Sequence, residues 1–266
     1  MILEVICIGS ELLSGITLNS NAHWLAGQIV NAGGRLSRIT VVGDELADIS
    51  SAVKESLARN PDILITTGGL GATYDDMTLE GIAAALGRKT TIDQRAVEML
   101  KKSYARRHLD YELDAVRLKM ATIPDGSTPL ENMVGSAPAV TAEIGGTRIF
   151  CLQGVPSEMQ QVFNDHILPT IRKQIGHFVS REVNYQVTGV TEAMIAPALL
   201  KIVESNPREA VYLKTHPQGY GENNTPHIRA QVVSRGSDEE KVAKRLEAVT
   251  STLRQEISKL GGKIEP

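Results

Sequence analysis

The sequence predicts an α/β fold with a mostly parallel sheet, followed by a smaller α+β unit, and three observations support this. Short apolar runs alternate with amphipathic helical stripes through residue 172, several of those runs end in glycine, and the pattern changes near 170–180. Alternating strands and helices pack through right-handed crossovers, which makes neighbouring strands parallel and covers both sheet faces with helices. Ligands on such sheets lie beyond the carboxyl ends of the strands.

Residues 2–9, "ILEVICIG", form the first predicted strand, and Ala22, Leu25, Ala26 and Ile29 recur at helical spacing before Gly33-Gly34 stops the helix. Residues 35–43 are a second strand, and Leu46, Ile49, Val53 and Leu57 mark a second helix. The third strand, 62–69, runs into "TTGGLGATYDDMT", after which Leu79, Ile82, Ala83 and Leu86 form a stripe closed by Gly87. Residues 93–120 read as two helices, with Val97, Leu100 and Tyr104 on one stripe. The adjoining basic run "KKSYARR" is either a solvated helix face or a clamp for ligand phosphate. Residues 139–154 form a hairpin about a Gly-Gly turn, and a helix then runs through Met159, Phe163 and Ile167 towards Pro169.

Domains are expected at 1–172 and 178–266. In the second, strands at 181–190, 210–215 and 227–235 combine with helices at 192–204 and at the C-terminal end. The last helix carries Val242, Leu246, Val249, Leu253, Ile257 and Leu260, with a capping-box pattern from Ser237 to Glu240 and a Gly261-Gly262 stop. Pro197 predicts a late start or a kink in the shorter helix. His216 and His227 flank "PQGYGENNTP", which reads as a polar hairpin loop rather than a zinc site.

Hydrophobic residues make up 42% of the 266 and charged residues 22%, with no low-complexity tract, which excludes extensive disorder. A net charge of −3 leaves no electrostatic footprint for nucleic acid or an anionic membrane, so a small molecule is the expected partner. The N-terminus lacks a basic segment and a cleavage site, and no apolar run spans a bilayer, so a cytoplasmic location is expected. Cys7 and Cys151 stand in separate apolar strands and are expected to be buried, reduced thiols.

The loop after the third strand carries the chemistry. Gly68, Gly69 and Gly71 permit positive φ and bare amides, as close approach to phosphate requires, and a helix starting near Thr78 adds its N-terminal dipole. The spacing matches neither a P-loop nor a dinucleotide fingerprint, so a simple tight turn is the alternative. Asp75 and Asp76 would repel an anion unless a cation lay between, which points to a hard divalent ion such as Mg2+, Mn2+ or Co2+. One of the pair is expected to cap the following helix and the other, Asp76, to do chemistry. Ser10 and Leu70 belong to the same strand-end loops and join the ligand set. Glu11 and Asp44 join the candidate metal set, with an exposed loop acid as the alternative for Glu11. In "ENMVGSAPAV", Gly135 and Ser136 read as phosphate-binding or as an ordinary turn, and Asn132 as a loop holder or a ligand contact.

Four segments in order, "IGSELLSGITLNSN", "TTGGLGATYDDMT", "ENMVGSAPAV" and "LQGVPSEM", resemble the CinA family. The resemblance implies a three-layer αβα molybdopterin-binding-like domain followed by a KH-like domain, and a homodimer. For some members it implies metal-dependent hydrolysis of the diphosphate of ADP-ribose to AMP and ribose 5-phosphate. By motif, Gly68, Gly69, Gly71 and Thr73 would bind diphosphate while Asp75 and Asp76 serve metal and water. The competing expectation is binding of molybdopterin or a related phosphorylated ligand without hydrolysis. Many bacterial relatives continue into a nicotinamide-nucleotide amidase domain; the chain stops at Pro266, so amidase activity is not expected. Ala72, Ala139 and Gln153 depart from the usual residues of these motifs. A nucleic-acid adaptor is disfavoured because the second unit has no GxxG clamp.

Overall fold

The computed structural model describes residues 1–109, 112–207 and 210–265. The two-helix reading of 93–120 spans residues 110 and 111, and the second-unit reading spans 208, 209 and 266, which lie outside the described residues. Two compact units meet in sequence at Ile175 and Gly176.

The first unit runs β1 (Ile2–Ile8), α1 (Ser10–Leu13), α2 (Ser20–Asn31), β2 (Arg35–Val42), α3 (Leu46–Ala58), β3 (Ile63–Thr67) and α4 (Thr78–Leu86). It continues through β4 (Thr90–Ile92), α5 (Gln94–Arg106), α6 (Ala115–Leu118), β5 (Thr122–Pro124), β6 (Thr128–Leu130), β7 (Ala139–Ile144), β8 (Thr147–Leu152), α7 (Pro156–Val162) and α8 (Leu168–Ile175). Among the described residues the main sheet has the order β2-β1-β3-β8-β7-β6. Its β2, β1, β3 and β8 pair in parallel, and β7 and β6 continue it antiparallel.

Period-2 alternation builds the three layers. Leu3, Val5 and Cys7 of β1 pack to one side with Leu25 and Ile29 of α2 and Met159 of α7. Ile6 and Ile8 pack to the other with Ile49 and Val53 of α3 and Ile82 of α4. Glu4 is the exception, a carboxylate 4% exposed in the centre of β1. Arg59 meets it through Nε and Nη2 at 2.9 and 2.8 Å, and Ser56 donates at 2.8 Å. The Arg59 hydrogen bond holds its carboxyl below the usual carboxylate range against the opposing effect of burial.

The helix predicted to run towards Pro169 continues to Ile175 instead. Proline lacks the N–H for the preceding turn and its ring crowds the carbonyl four residues back. Here the turn before it, Phe163–Ile167, widens to π geometry.

The second unit comprises β9 (Val179–Thr188), α9 (Glu192–Glu204), β10 (Val211–Tyr220), β11 (Pro226–Gly236), α10 (Glu239–Lys259) and β12 (Lys263–Glu265). Its antiparallel sheet has the order β10-β11-β9-β12, with α9 and α10 contributing to one core. Three local expectations are corrected here. Asp238, rather than Ser237, caps α10 by accepting from the Lys241 amide at 3.1 Å. Pro197 lies inside a helix that starts on time, because the Thr191 side chain caps it through the Met194 amide. The segment between the histidines is a hairpin as expected, but its loop is only residues 221–225, since His216 pairs with Arg229 and Gly219 with His227 across the β10–β11 ladder. Among the described residues no helix is long and apolar enough to cross a membrane.

Candidate functional site

All four parallel strands of the first unit end at one cleft of about 280 Å³. Gly9 follows β1, Asp44 follows β2, Gly68 and Gly69 follow β3, and Gly154 follows β8. The chain leaves β1 for β2 on one side and returns to place β3 on the other, the topological switch at which such sheets bind ligands.

Gly68 has φ 108°, and a Cβ there would strike the Ile8 carbonyl oxygen, so only glycine fits between β1 and β3. Its amide is not free, however: it extends the sheet ladder to the Leu152 carbonyl at 3.0 Å, while Thr78 Oγ1 donates to its carbonyl at 2.7 Å. The following amides of Gly69, Leu70 and Gly71 donate no hydrogen bond among the described residues, so these three, and not the Gly68 amide, are left open to an acceptor. Leu70 has only its backbone to offer a ligand; its side chain is 5% exposed and packs in the core. Gly71 is needed for close approach rather than positive φ, since a Cβ would lie 2.5 Å from Asp76 Oδ2. Ala72, a departure from the motif, is half-buried against the α5 core.

The acid pair does not cap α4. Met77 is the N-cap residue and no side chain completes the cap. Asp76 Oδ2 instead accepts from the Thr73 amide at 2.8 Å and lies 2.6 Å from Thr73 Oγ1, and Asp75 Oδ1 lies 2.5 Å from the same hydroxyl. One hydroxyl carries one proton, so two carboxylates crowd a single donor. The Thr73 hydroxyl holds the Asp75 carboxyl below the usual carboxylate range, with Lys119 adding charge attraction. Lys119 Nζ also donates to the Thr73 carbonyl at 2.5 Å, pinning the turn from behind.

Glu11, Asp44, Asp75 and Asp76 all line the cleft, and no Lys, Arg or His stands among its lining residues. Asp44 is half-spent, because its Oδ2 accepts from the Ser10 amide at 2.7 Å while the Ser10 hydroxyl receives the Asp44 amide at 3.3 Å. Ser10 thus ties two strand ends and is not itself a lining residue. Glu11 folds back over Gly9, with Oε1 2.5 Å from where a Cβ would sit. Among the described residues no three His, Cys, Asp or Glu side chains are gathered closely enough to hold a metal. The all-oxygen donor set fits a hard divalent cation in chemistry, with Asp75 and Asp76 as the pair that would hold it.

Asn132, Gly135 and Ser136 lie apart from the cleft lining, on the loop before β7. Asn132 is 3% exposed and holds this loop: Nδ2 donates to the Ala137 carbonyl at 3.0 Å and to Glu158 at 2.7 Å, and Oδ1 receives the Val134 and Gly135 amides. Ser103 donates to the Gly135 carbonyl and Arg107 to the Ser136 hydroxyl, so part of the basic run clamps protein. Gln153 is buried and donates to the Ala137 carbonyl at 2.8 Å, bracing the same loop, and Ala139 is fully buried in β7. Both cysteines are buried thiols, and burial pushes Cys151 up to about 12.

The family described as "Probable molybdopterin binding domain" matches residues 4–173, and a CinA protein of unknown function from Thermoplasma acidophilum superimposes with a TM-score of 0.58. That protein is 38% identical and the match covers 66% of this chain and 99% of its own. The chain belongs to the CinA family. Relatives in Metallosphaera sedula and Aeropyrum pernix are 38% and 40% identical over 265 and 261 residues. These cover 98% of this chain and 96% and 95% of theirs, so the likeness to these relatives extends through both units. The first unit is accordingly a molybdopterin-binding-like domain with a three-layer α/β fold.

Within this CinA-family cleft the structure adds residues that glycine and acid patterns did not signal. Asn21 and Thr67 line it, the first from the opening turn of α2 and the second from the last residue of β3. Both fall inside the segments that carry the family resemblance, but nothing in their type or spacing marks them in advance.

Proposed function

We propose that this cleft binds a nucleotide diphosphate together with a divalent cation and hydrolyses the diphosphate of ADP-ribose or a close relative to AMP and ribose 5-phosphate. One observation carries the reading: a run of three free backbone amides begins at Gly69 in the lining of a cleft that also holds four carboxylates and no basic lining side chain. Phosphate and carboxylates are compatible only with a cation between them. A bound Mg2+, Mn2+ or Co2+ would neutralise that charge and polarise a phosphoryl oxygen.

The chain's own groups then have defined tasks. The Gly69, Leu70 and Gly71 amides receive phosphoryl oxygens and stabilise charge that grows as the bridging bond breaks. Asp76 takes the proton from the attacking water as the new oxygen–phosphorus bond forms and the bridging oxygen leaves with one phosphate group. Asp75, kept ionised by Thr73, preserves the negative site that attracts the cation.

A second reading, binding of a phosphorylated pterin without hydrolysis, is favoured by the family description and by the lack of a closely gathered carboxylate triad among the described residues. AMP release from ADP-ribose, measured with each of the three metals and then with chelator, separates the two. Metal-dependent release that Asp76→Asn abolishes supports the hydrolase. No release with any metal, alongside tight binding of a phosphorylated pterin, favours the second reading.

A further inference from the structure

We infer that Asn21 is the specificity-determining residue of the cleft, its Oδ1 accepting a hydrogen bond from a ribose hydroxyl next to the ligand's phosphates. The inference rests on the phosphate-binding reading above.

Asn21 Nδ2 donates to Thr67 Oγ1 at 3.1 Å and to the Gly154 carbonyl at 2.8 Å. Both partners are acceptors here: the carbonyl can be nothing else, and the Thr67 hydroxyl gives its own proton to the Gln153 carbonyl at 2.8 Å. The amide orientation is therefore fixed, with nitrogen towards the ends of β3 and β8 and oxygen turned away from them. Oδ1 is buried and has no partner. It is the one such side-chain atom among the described residues that line the cleft.

A buried carbonyl without a donor is destabilised relative to one that is paired, and a ligand O–H or N–H removes that penalty. Two features make the donor a neighbour of the phosphates. Gly154, which Asn21 holds, stands so close to Gly68 that a Cβ on it would lie 3.4 Å from the Gly68 Cα. Gly68 in turn leads directly into the free amides. A ribose esterified to phosphate at its C5 oxygen, with its nearest hydroxyl on C3, meets that requirement, whereas a bare diphosphate carries no sugar hydroxyl. Oδ1 is closed from solvent in the free cleft, so the groups around it must part slightly for the pairing to form.

The test uses two ligands that cannot be hydrolysed, α,β-methylene ADP-ribose and methylenediphosphonate, titrated calorimetrically with Mn2+ into the wild type and Asn21→Ala. Alanine is a better helix former than asparagine, so α2 tolerates the change. The expected result is about tenfold weaker binding of the ribosyl ligand with less than twofold change for methylenediphosphonate. Equal weakening of both, or no weakening of either, overturns the assignment. If the wild type binds the ribosyl ligand without releasing AMP from ADP-ribose, hydrolysis fails while the titration still decides on Asn21. Binding of neither ligand by the wild type overturns both.

Discussion

The loops at 66–78 and 131–140 look alike in sequence, each a strand-linked stretch of glycine, hydroxyl and acidic or amide side chains, yet the structure uses them in opposite ways. In the first, three consecutive amides are free and two carboxylates crowd one hydroxyl at the mouth of a cleft. In the second, Asn132 satisfies the loop amides, Ser103 and Arg107 take Gly135 and Ser136, and Gln153 braces the base. Composition signals a loop that could hold an anion; hydrogen-bond accounting decides whether anything is left to hold it.

Substitutions in the two loops break or sharpen this contrast. The largest effect is expected from Asp76→Asn, which should lower turnover of ADP-ribose by about a hundredfold or more while Tm stays within a few degrees. Full activity would remove Asp76 from the chemistry. Gly68→Ala is expected to destabilise the fold by about 3 kcal/mol, read by denaturant unfolding, because it combines positive φ with a clash against β1. In the second loop, Asn132→Ala should cost about 2 kcal/mol of stability by orphaning two amides, with KM for ADP-ribose unchanged. A raised KM without lost stability would return that loop to the binding site.

Smaller effects separate the two hydroxyls. Thr73→Val removes the main cause that lowers the Asp75 pKa, so the carboxyl titration followed by NMR should move up towards its ordinary value. The sign is that of a depressed carboxylate: the Thr73 contribution is present above the unfolded-state pKa and is lost as pH falls through the folded-state value. Thr73→Val should therefore move the acid limit of metal binding to higher pH. Ser136→Ala should change stability by less than about 0.5 kcal/mol and leave KM unaltered.

Much of this was legible in advance because it rests on local periodicity. The alternating faces of β1, the stripe of α4 and its left-handed Gly87 stop all follow from residue order. The Ser237 cap and the late start at Pro197 went wrong where a neighbour competes: Asp238 is one residue better placed, and Thr191 secures the helix start. The acid pair lines the cleft, but the expected capping role fails, since Thr73 offers both carboxylates a closer donor than the helix amides do.

By itself the sequence determined the alternation of strands and helices, the glycines after β3 and the acids beside them, because hydrophobic period, left-handed φ and like-charge crowding are set by nearest neighbours along the chain. Only the tertiary structure decided which amides remain free, that Glu11 and Asp44 share a cleft with Asp75 and Asp76, and that Asn21 reaches Thr67 and Gly154. Those depend on strand order: β1, β2, β3 and β8 end at one edge only after the crossovers close, and the contacts they create join residues 46 and 133 positions apart.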